Sequence, residues 1–355
     1  MKNVSLKTIA TRMNVSINTV SHALRDMDDI SEPLKIRIRK AAIDMGYMPN
    51  HIAQTMKKDE RPVVGIYLCE FTNLYFDIFN DEIVRVFRSR NEYNFVFLLS
   101  ERFDMEVIKQ CILQRVDLIL TSEECDEATA AFAQLNAVRI VFVGSMVHPQ
   151  ENIDIVTIDN ELGCRLATRY LYNYHNDSKY IYVGIGNEYC RIRRDYFADE
   201  LRKLGEDADV KYFDIRTEDI QKLHKLIQNG YRSIFFFNDM TAYEALHKLD
   251  SLVVNVRKLY PNLHLVGFDG LCEWIYGIRQ ITTVKIDFAS FAQTVYDVIA
   301  ARLESPTGAP QQITLPVMLH QRRGRDSLLM CKKTGRNFIR WKKGSAAYAV
   351  KQLRL

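Results

Sequence analysis

Few side chains in this sequence stand at spacings that catalysis or metal binding requires. Gly184-Ile185-Gly186-Asn187-Glu188-Tyr189 follows an apolar run, as a dinucleotide-binding turn does, but lacks the third glycine of that fingerprint. A phosphate loop, a Gly-x-Ser-x-Gly elbow and a His-Glu-x-x-His pair are all missing. The seven cysteines (Cys69, Cys111, Cys125, Cys164, Cys190, Cys272, Cys331) are scattered, odd in number and never in a Cys-x-x-Cys spacing, which suggests buried reduced thiols rather than disulfides or zinc. No catalytic residue, metal or cofactor is therefore expected, and the protein is not expected to be an enzyme.

Charge gives the first positive indication. Residues 1–58 hold ten Lys or Arg against five acids, and after Asp326 eight positive charges stand without an acid. With a total of +4, that leaves −9 for residues 59–326. A basic N-terminal piece on an acidic body implies that one end of the molecule approaches a polyanion. The 355 residues, 47% apolar and 26% charged, suit two or three globular domains. No run reaches the roughly 20 apolar residues of a membrane span, and Met1–Arg12 has no apolar core of a signal peptide, so a cytoplasmic location without membrane contact is expected.

Three short amphipathic segments make up the basic end. Ser5 precedes the stripe Leu6, Ile9, Ala10, Met13; Ser16 precedes Val20, Ala23, Leu24; Ser31 precedes Ile38, Ala41, Ala42, Met45, with Pro33 in the first turn and Gly46 as terminator. Only Asn14-Val15 joins the first two, so the helices must cross steeply, with Ala10 small enough to permit it and Asn14 tolerant of a left-handed backbone. This is the pattern of a helix-turn-helix.

Leu6-Lys7-Thr8-Ile9-Ala10, Val15 through Leu24, and Gly46-Tyr47-Met48-Pro49-Asn50 resemble, without gaps, the headpiece of the lactose/galactose-repressor (LacI/GalR) family. The resemblance implies that the second helix enters the major groove and presents Ile17, Asn18 and His22 to base edges. Their chemistry suits that role: an amide for bidentate bonding to adenine, an imidazole to donate to guanine, an aliphatic group for a thymine methyl. Ser5, Leu6, Ser16, Thr19, Ser21, Arg25, Ser31, Tyr47 and Asn50 match positions that hold phosphates. Residues 50–57 are too short for a stable isolated helix and match the family's hinge helix, which pairs across a dimer in the minor groove. Met56 would be the wedge between base pairs, Ala53 would approach the groove floor, and Lys57 follows them.

From Arg61-Pro62 onward the pattern becomes strand and helix in alternation. Val63–Leu68, Phe95–Leu99, Asp117–Thr121 and Arg139–Gly144 read as buried strands separated by helices near 76–91, 104–114 and 126–136. A second set follows at Lys179–Ile185, Val210–Phe213, Ser233–Phe237 and His264–Phe268, with helices near 160–175, 191–204, 217–229 and 239–250. Thr282–Ile286, a helix near 288–304 and a strand near 312–319 then carry the chain back to the first lobe. The expected fold class is an all-α headpiece with hinge helix, followed by a two-lobed α/β body of the periplasmic-binding-protein type with two doubly wound parallel sheets. The expected divisions are headpiece 1–49, hinge and linker 50–60, body 61–327, with one lobe at 61–157 and 287–327 and the other at 158–286, and a basic tail 328–355.

Landmarks of the family's effector domain appear in order: 156–160 as the crossover, Arg193-Arg194-Asp195-Tyr196-Phe197 with Tyr196 in place of a glycine, Phe237-Asn238-Asp239, Val266-Gly267-Phe268-Asp269, and 281–284 as the return strand. The resemblance assigns Arg193, Asn238 and Asp269 to ligand hydroxyls, a fork donor, an amide and an acceptor that suit vicinal diols. Tyr75 and Phe76, at the exit of the first strand, can stack on a sugar or purine, and equally can pack. Gly144 and Ile286 replace polar residues of some sugar-binding members. The expected function is a DNA-binding transcriptional regulator, a repressor acting as a homodimer on a pseudo-palindromic double-stranded operator. It would answer to a small-molecule effector such as a sugar or sugar derivative bound between the lobes, the alternatives being a regulator controlled by a protein partner, or a ligand-binding carrier or enzyme. The leucine heptads of tetrameric members are missing, and the tail charges are read as solvated.

Overall fold

A computed structural model describes residues 6–24, 27, 29–45, 61–68, 73–144, 150, 152–174, 179–205, 208–271, 274–275 and 281–321. Expectations about Ser5, Arg25, Gly46, Tyr47, Asn50, Ala53, Met56, Lys57 and the tail 328–355 lie outside these residues. The described residues fall into two compact units, one within Met1–Cys69, Phe87–Val141 and Ile299–Gly308, the other within Glu70–Val86, Phe142–Val298 and Ala309–Leu355.

The first unit begins with α1 (Leu6–Met13), α2 (Ile17–Leu24) and α3 (Glu32–Asp44). Their apolar stripes meet in a small core of Ile9, Ala10, Val20, Ala23, Ile38 and Ala42, flanked by Leu6, Met13, Val15, Leu24, Ile30, Leu34 and Met45. Asn14 has φ 54°, and the amides of Asn14 and Val15 bond back to the carbonyls of Thr11 (3.4 Å) and Ala10 (3.1 Å). That pair of bonds is a Schellman closure with asparagine in the left-handed position. Ser16 then caps α2, its Oγ accepting from the Thr19 amide at 3.0 Å. Only the three residues Asn14, Val15 and Ser16 separate the two helices, which fixes the steep crossing. Asn14→Val, which puts a β-branched side chain at that φ, is expected to cost about 1–2 kcal/mol. Faster amide hydrogen exchange in α1 and α2, with Asn14→Gly near wild type, is the measurement that checks it.

Two six-stranded sheets make the rest. The strands are β1 (Val63–Leu68), β2 (Asn94–Leu99), β3 (Leu118–Thr121), β4 (Arg139–Val143), β5 (Asp154–Ile158), β6 (Lys179–Gly184), β7 (Asp209–Asp214), β8 (Ser233–Phe236), β9 (His264–Asp269), β10 (Thr282–Lys285), β11 (Gln312–Leu315) and β12 (Met318–His320). Their orders are β2-β1-β3-β4-β5-β11 and β7-β6-β8-β9-β10-β12. The connecting helices are α4 (Leu74–Arg90), α5 (Met105–Gln114), α6 (Glu127–Leu135), α7 (Asn160–Tyr174), α8 (Glu188–Lys203), α9 (Ile220–Gln228), α10 (Asp239–Leu252), α11 (Val256–Leu259) and α12 (Phe288–Glu304). β6 pairs in parallel with β7 on one side and β8 on the other, so its two neighbours are reached by crossovers that diverge. Such a switch point leaves a crevice at the carboxyl ends of the strands. β8 is buried along its whole length, which explains its unbroken apolar run, whereas the edge strand β7 is partly exposed.

Two sequence expectations change. Residues 156–158, read as part of the 156–160 crossover, belong to β5, which pairs in parallel with β11. The single strand expected near 312–319 is two strands. Pro316, with no N–H to donate, interrupts the ladder, and β12 pairs antiparallel with β10, so residues 318–320 lie in the second sheet and not with the first lobe. Cys111, Cys125, Cys164 and Cys190 are buried. Burial pushes the thiols of Cys111 and Cys164 up to about 12, so both stay protonated and unreactive. No described helix is long and apolar enough to cross a membrane.

Candidate nucleic-acid interface and effector site

On α2 the residues that pack inward, Val20 and Ala23, leave Ile17, Asn18 and His22 on the outer face. Ile17 and Asn18 occupy the first turn and His22 the next, four residues beyond Asn18, so the three share one strip of surface. Ile17 keeps 46% of its surface exposed. Around the start of the helix, the Oγ of Ser16 and the Oγ1 of Thr19 are bonded at 2.8 Å, beside the amides of Ile17 and Asn18, for which a helix offers no carbonyl. Helix N-termini of this kind accept phosphate. Ser31 is exposed and Leu6 half-buried, but Ser21 is only 8% exposed, which leaves it little surface for a phosphate.

A second cluster assembles inside the other unit, at the carboxyl ends of β6, β8 and β9. Asn187 caps α8 by accepting from the Cys190 amide at 2.8 Å, and the helix carries Arg193 inward. The Arg193 guanidinium lies 3.7 Å from the centroid of the Phe268 ring and 5.0 Å from that of Phe237. Its Nη1 donates to the Phe237 carbonyl (2.8 Å) and to Asp269 Oδ1 (3.3 Å), and its Nε donates to Asn160 Oδ1 (2.9 Å). Among the described residues Nη2 has no partner. Burial raises the Asp269 carboxyl above the ordinary aspartate value, and the charge and hydrogen bond of Arg193 pull it back down. Tyr75, at the start of α4, packs edge-on against Phe76 and Phe288 at 5.1 and 5.3 Å. Burial, reinforced by the Asp269 charge, raises its phenol, which therefore stays a donor.

The backbone that presents Asp269 is held by residues that the sequence showed only as landmarks, without a role. Asp269 has φ 95° and Gly270 φ 80°. The former is a costly conformation for a residue with a Cβ, and such strain persists only where neighbours over-determine it. Here the buried Asp239 is the neighbour. Its carboxylate accepts from the Leu271 amide (2.6 Å) and from Thr283 Oγ1 (2.8 Å), while that hydroxyl also accepts from the Gly270 amide (3.2 Å). A Cβ on Gly267 would stand 1.9 Å from Asp239 Oδ1, so only glycine fits there. Gly267→Ala is expected to cost about 1–3 kcal/mol, checked as a lower urea midpoint. Asn238, expected to face a ligand, spends its Oδ1 on capping α10, accepting from the amide and the hydroxyl of Thr241 at 2.8 and 2.7 Å. Asn160 was legible only as part of the 156–160 landmark, and the Phe237 carbonyl gave no side-chain signal at all.

Comparison with known proteins points the same way. The model described as "Bacterial regulatory proteins, lacI family" matches residues 5–50, the stretch that contains the crossed helices. The chain is similar to the LacI/GalR family, whose model covers its N-terminal residues 5–50. It is 24% identical over 303 residues to the HTH-type transcriptional regulator GalS of Salmonella typhimurium, covering 82% of this chain and 87% of that protein. It is 24% identical over 331 residues to the sucrose operon repressor of Lactococcus lactis, covering 89% and 98%. The lac repressor dimer bound to operator and the anti-inducer ONPF shares the fold, with a TM-score of 0.64 at 19% identity, over 90% of this chain and 98% of that one. The first of these relatives is named a transcriptional regulator and the second an operon repressor.

Proposed function

We propose that this protein is a sequence-specific DNA-binding repressor that works as a cytoplasmic homodimer and whose operator affinity is coupled to a small polyhydroxylated effector. The observation that carries the DNA half is the exposed strip Ile17, Asn18, His22 on a helix whose other face is locked into a core. Ile17, Asn18 and His22 read base edges. Leu6, Ser16, Thr19 and Ser31 lie against phosphate, together with Ser5, Arg25, Tyr47 and Asn50, while Ala53, Met56 and Lys57 enter the minor groove. A dimer carries two such helices, hence a pseudo-palindromic site.

The effector half rests on the cluster around Arg193. A guanidinium with a spare nitrogen, a buried carboxylate with a spare oxygen, a phenol donor and flat aromatic faces match the alternating donors, acceptors and apolar faces of a sugar ring. The name of the sucrose operon repressor ties that relative to a sugar. Effector and operator then change each other's affinity by the same factor. A thermal-shift screen of sugars, sugar phosphates and nucleosides on the full chain tests this. A compound at about a hundred times its Kd should stabilise by about 2.7 kcal/mol and shift operator affinity in the same sample. A hit that raises the melting temperature without moving operator affinity would contradict the coupling.

A further inference from the structure

The imidazole of His22 is held by an acid outside the recognition helix. His22 Nδ1 stands 2.6 Å from Asp29 Oδ2, seven residues on, in the connection between α2 and α3. The chain is folded back to bring it there, with the Met27 amide bonded to the His22 carbonyl at 3.1 Å and the Ile30 amide to the Met27 carbonyl at 3.4 Å. We infer that Asp29 is the positioning residue for base readout by His22, fixing the ring so that Nε2 alone meets the base. The inference rests on the assignment of His22 to base readout made above.

An ionised carboxylate only accepts, so the shared proton sits on Nδ1 and the tautomer is set. A free imidazole offers two ring flips, and in its neutral form either nitrogen can carry the proton, so it can meet a base in several ways. Bonded to Asp29 it presents Nε2 in one place, which makes no hydrogen bond among the described residues. Nε2 bonds guanine O6 or N7 when it carries a proton, and an exocyclic amino group of adenine or cytosine when it does not. Stability does not explain the pair. The side chains are 38% and 56% exposed, and ion pairs this open contribute little. A carboxylate on a face that meets phosphates also opposes binding to any DNA.

That opposition gives the test a signature. Full-length wild type, Asp29→Ala, Asp29→Asn and His22→Ala are compared by random-pool selection and by competition binding at one salt concentration and one pH. His22→Ala locates the base pair that the histidine reads. Asp29→Ala is expected to lower discrimination at that same base pair roughly tenfold, while affinity for unselected DNA stays level or rises. Asp29→Asn keeps an acceptor oxygen for Nδ1 and is expected to retain the preference. Unchanged discrimination in Asp29→Ala, or an equal loss of affinity for every sequence, overturns the positioning role. If His22→Ala itself alters preference at no position, the base-readout assignment falls first, and Asp29 with it.

Discussion

Arg193→Ala is expected to destabilise the protein by about 3–5 kcal/mol and to abolish any response to an effector. The Arg193 and Asp269 side chains are 11% and 5% exposed, so removing the guanidinium strands a largely buried carboxylate. The same change also leaves the Phe237 carbonyl and Asn160 Oδ1 without their donor. Denaturant unfolding measures the loss, and the double variant Arg193→Ala/Asp269→Ala should recover part of it, because the stranded charge goes too. The pH dependence has a definite sign. Burial places the folded-state value of Asp269 above its unfolded value. Its ionisation therefore destabilises the fold at pH above the folded value, and the penalty fades as pH falls through that value toward the unfolded one. Without Arg193 to hold the carboxyl down, Arg193→Ala should regain stability on acidification more than wild type does. A pH-independent loss would show that Asp269 is not the group left exposed to the change.

Asn18→Ala should remove preference at one base pair in each half-site, about 1–3 kcal/mol per contact, and leave binding to unrelated sequences nearly as it was. The reason lies in its position. Asn18 sits in the first turn of α2, exposed, on the face opposite Val20 and Ala23, so truncation neither opens the core of the headpiece nor removes a cap. Competition binding against a panel of single-base operator variants checks it. Equal weakening for all sequences would move Asn18 from base readout to general contact.

Much of this architecture was legible in the sequence for particular reasons. The i, i+3, i+4 stripes of residues 6–45 and the punctuation at Asn14-Val15-Ser16 are local signals, and the helices fall where those signals put them. The buried strands read as unbroken apolar runs because both of their faces are covered, as β6 and β8 show. Residues 316–320 were misread because a proline break between two short extended segments does not reveal that the second joins another sheet. The arrangement around Arg193 was only half legible. Residue types pointed to Arg193 and Asp269, but the carbonyl of Phe237, the capping duty of Asn238 and the grip of Asp239 on the Asp269 turn arise from backbone geometry that no spacing encodes. The His22 to Asp29 contact was equally hidden, since it depends on how the α2–α3 connection folds back.

The most direct measurement is a random-pool DNA selection with the purified full-length chain at moderate ionic strength. Enrichment of one pseudo-palindromic sequence, with wild type and Ile17, Asn18 and His22 variants choosing differently at defined positions, is the expected result. A pool that emerges unenriched, bound equally at every sequence and released uniformly by salt, would contradict regulation through a specific operator.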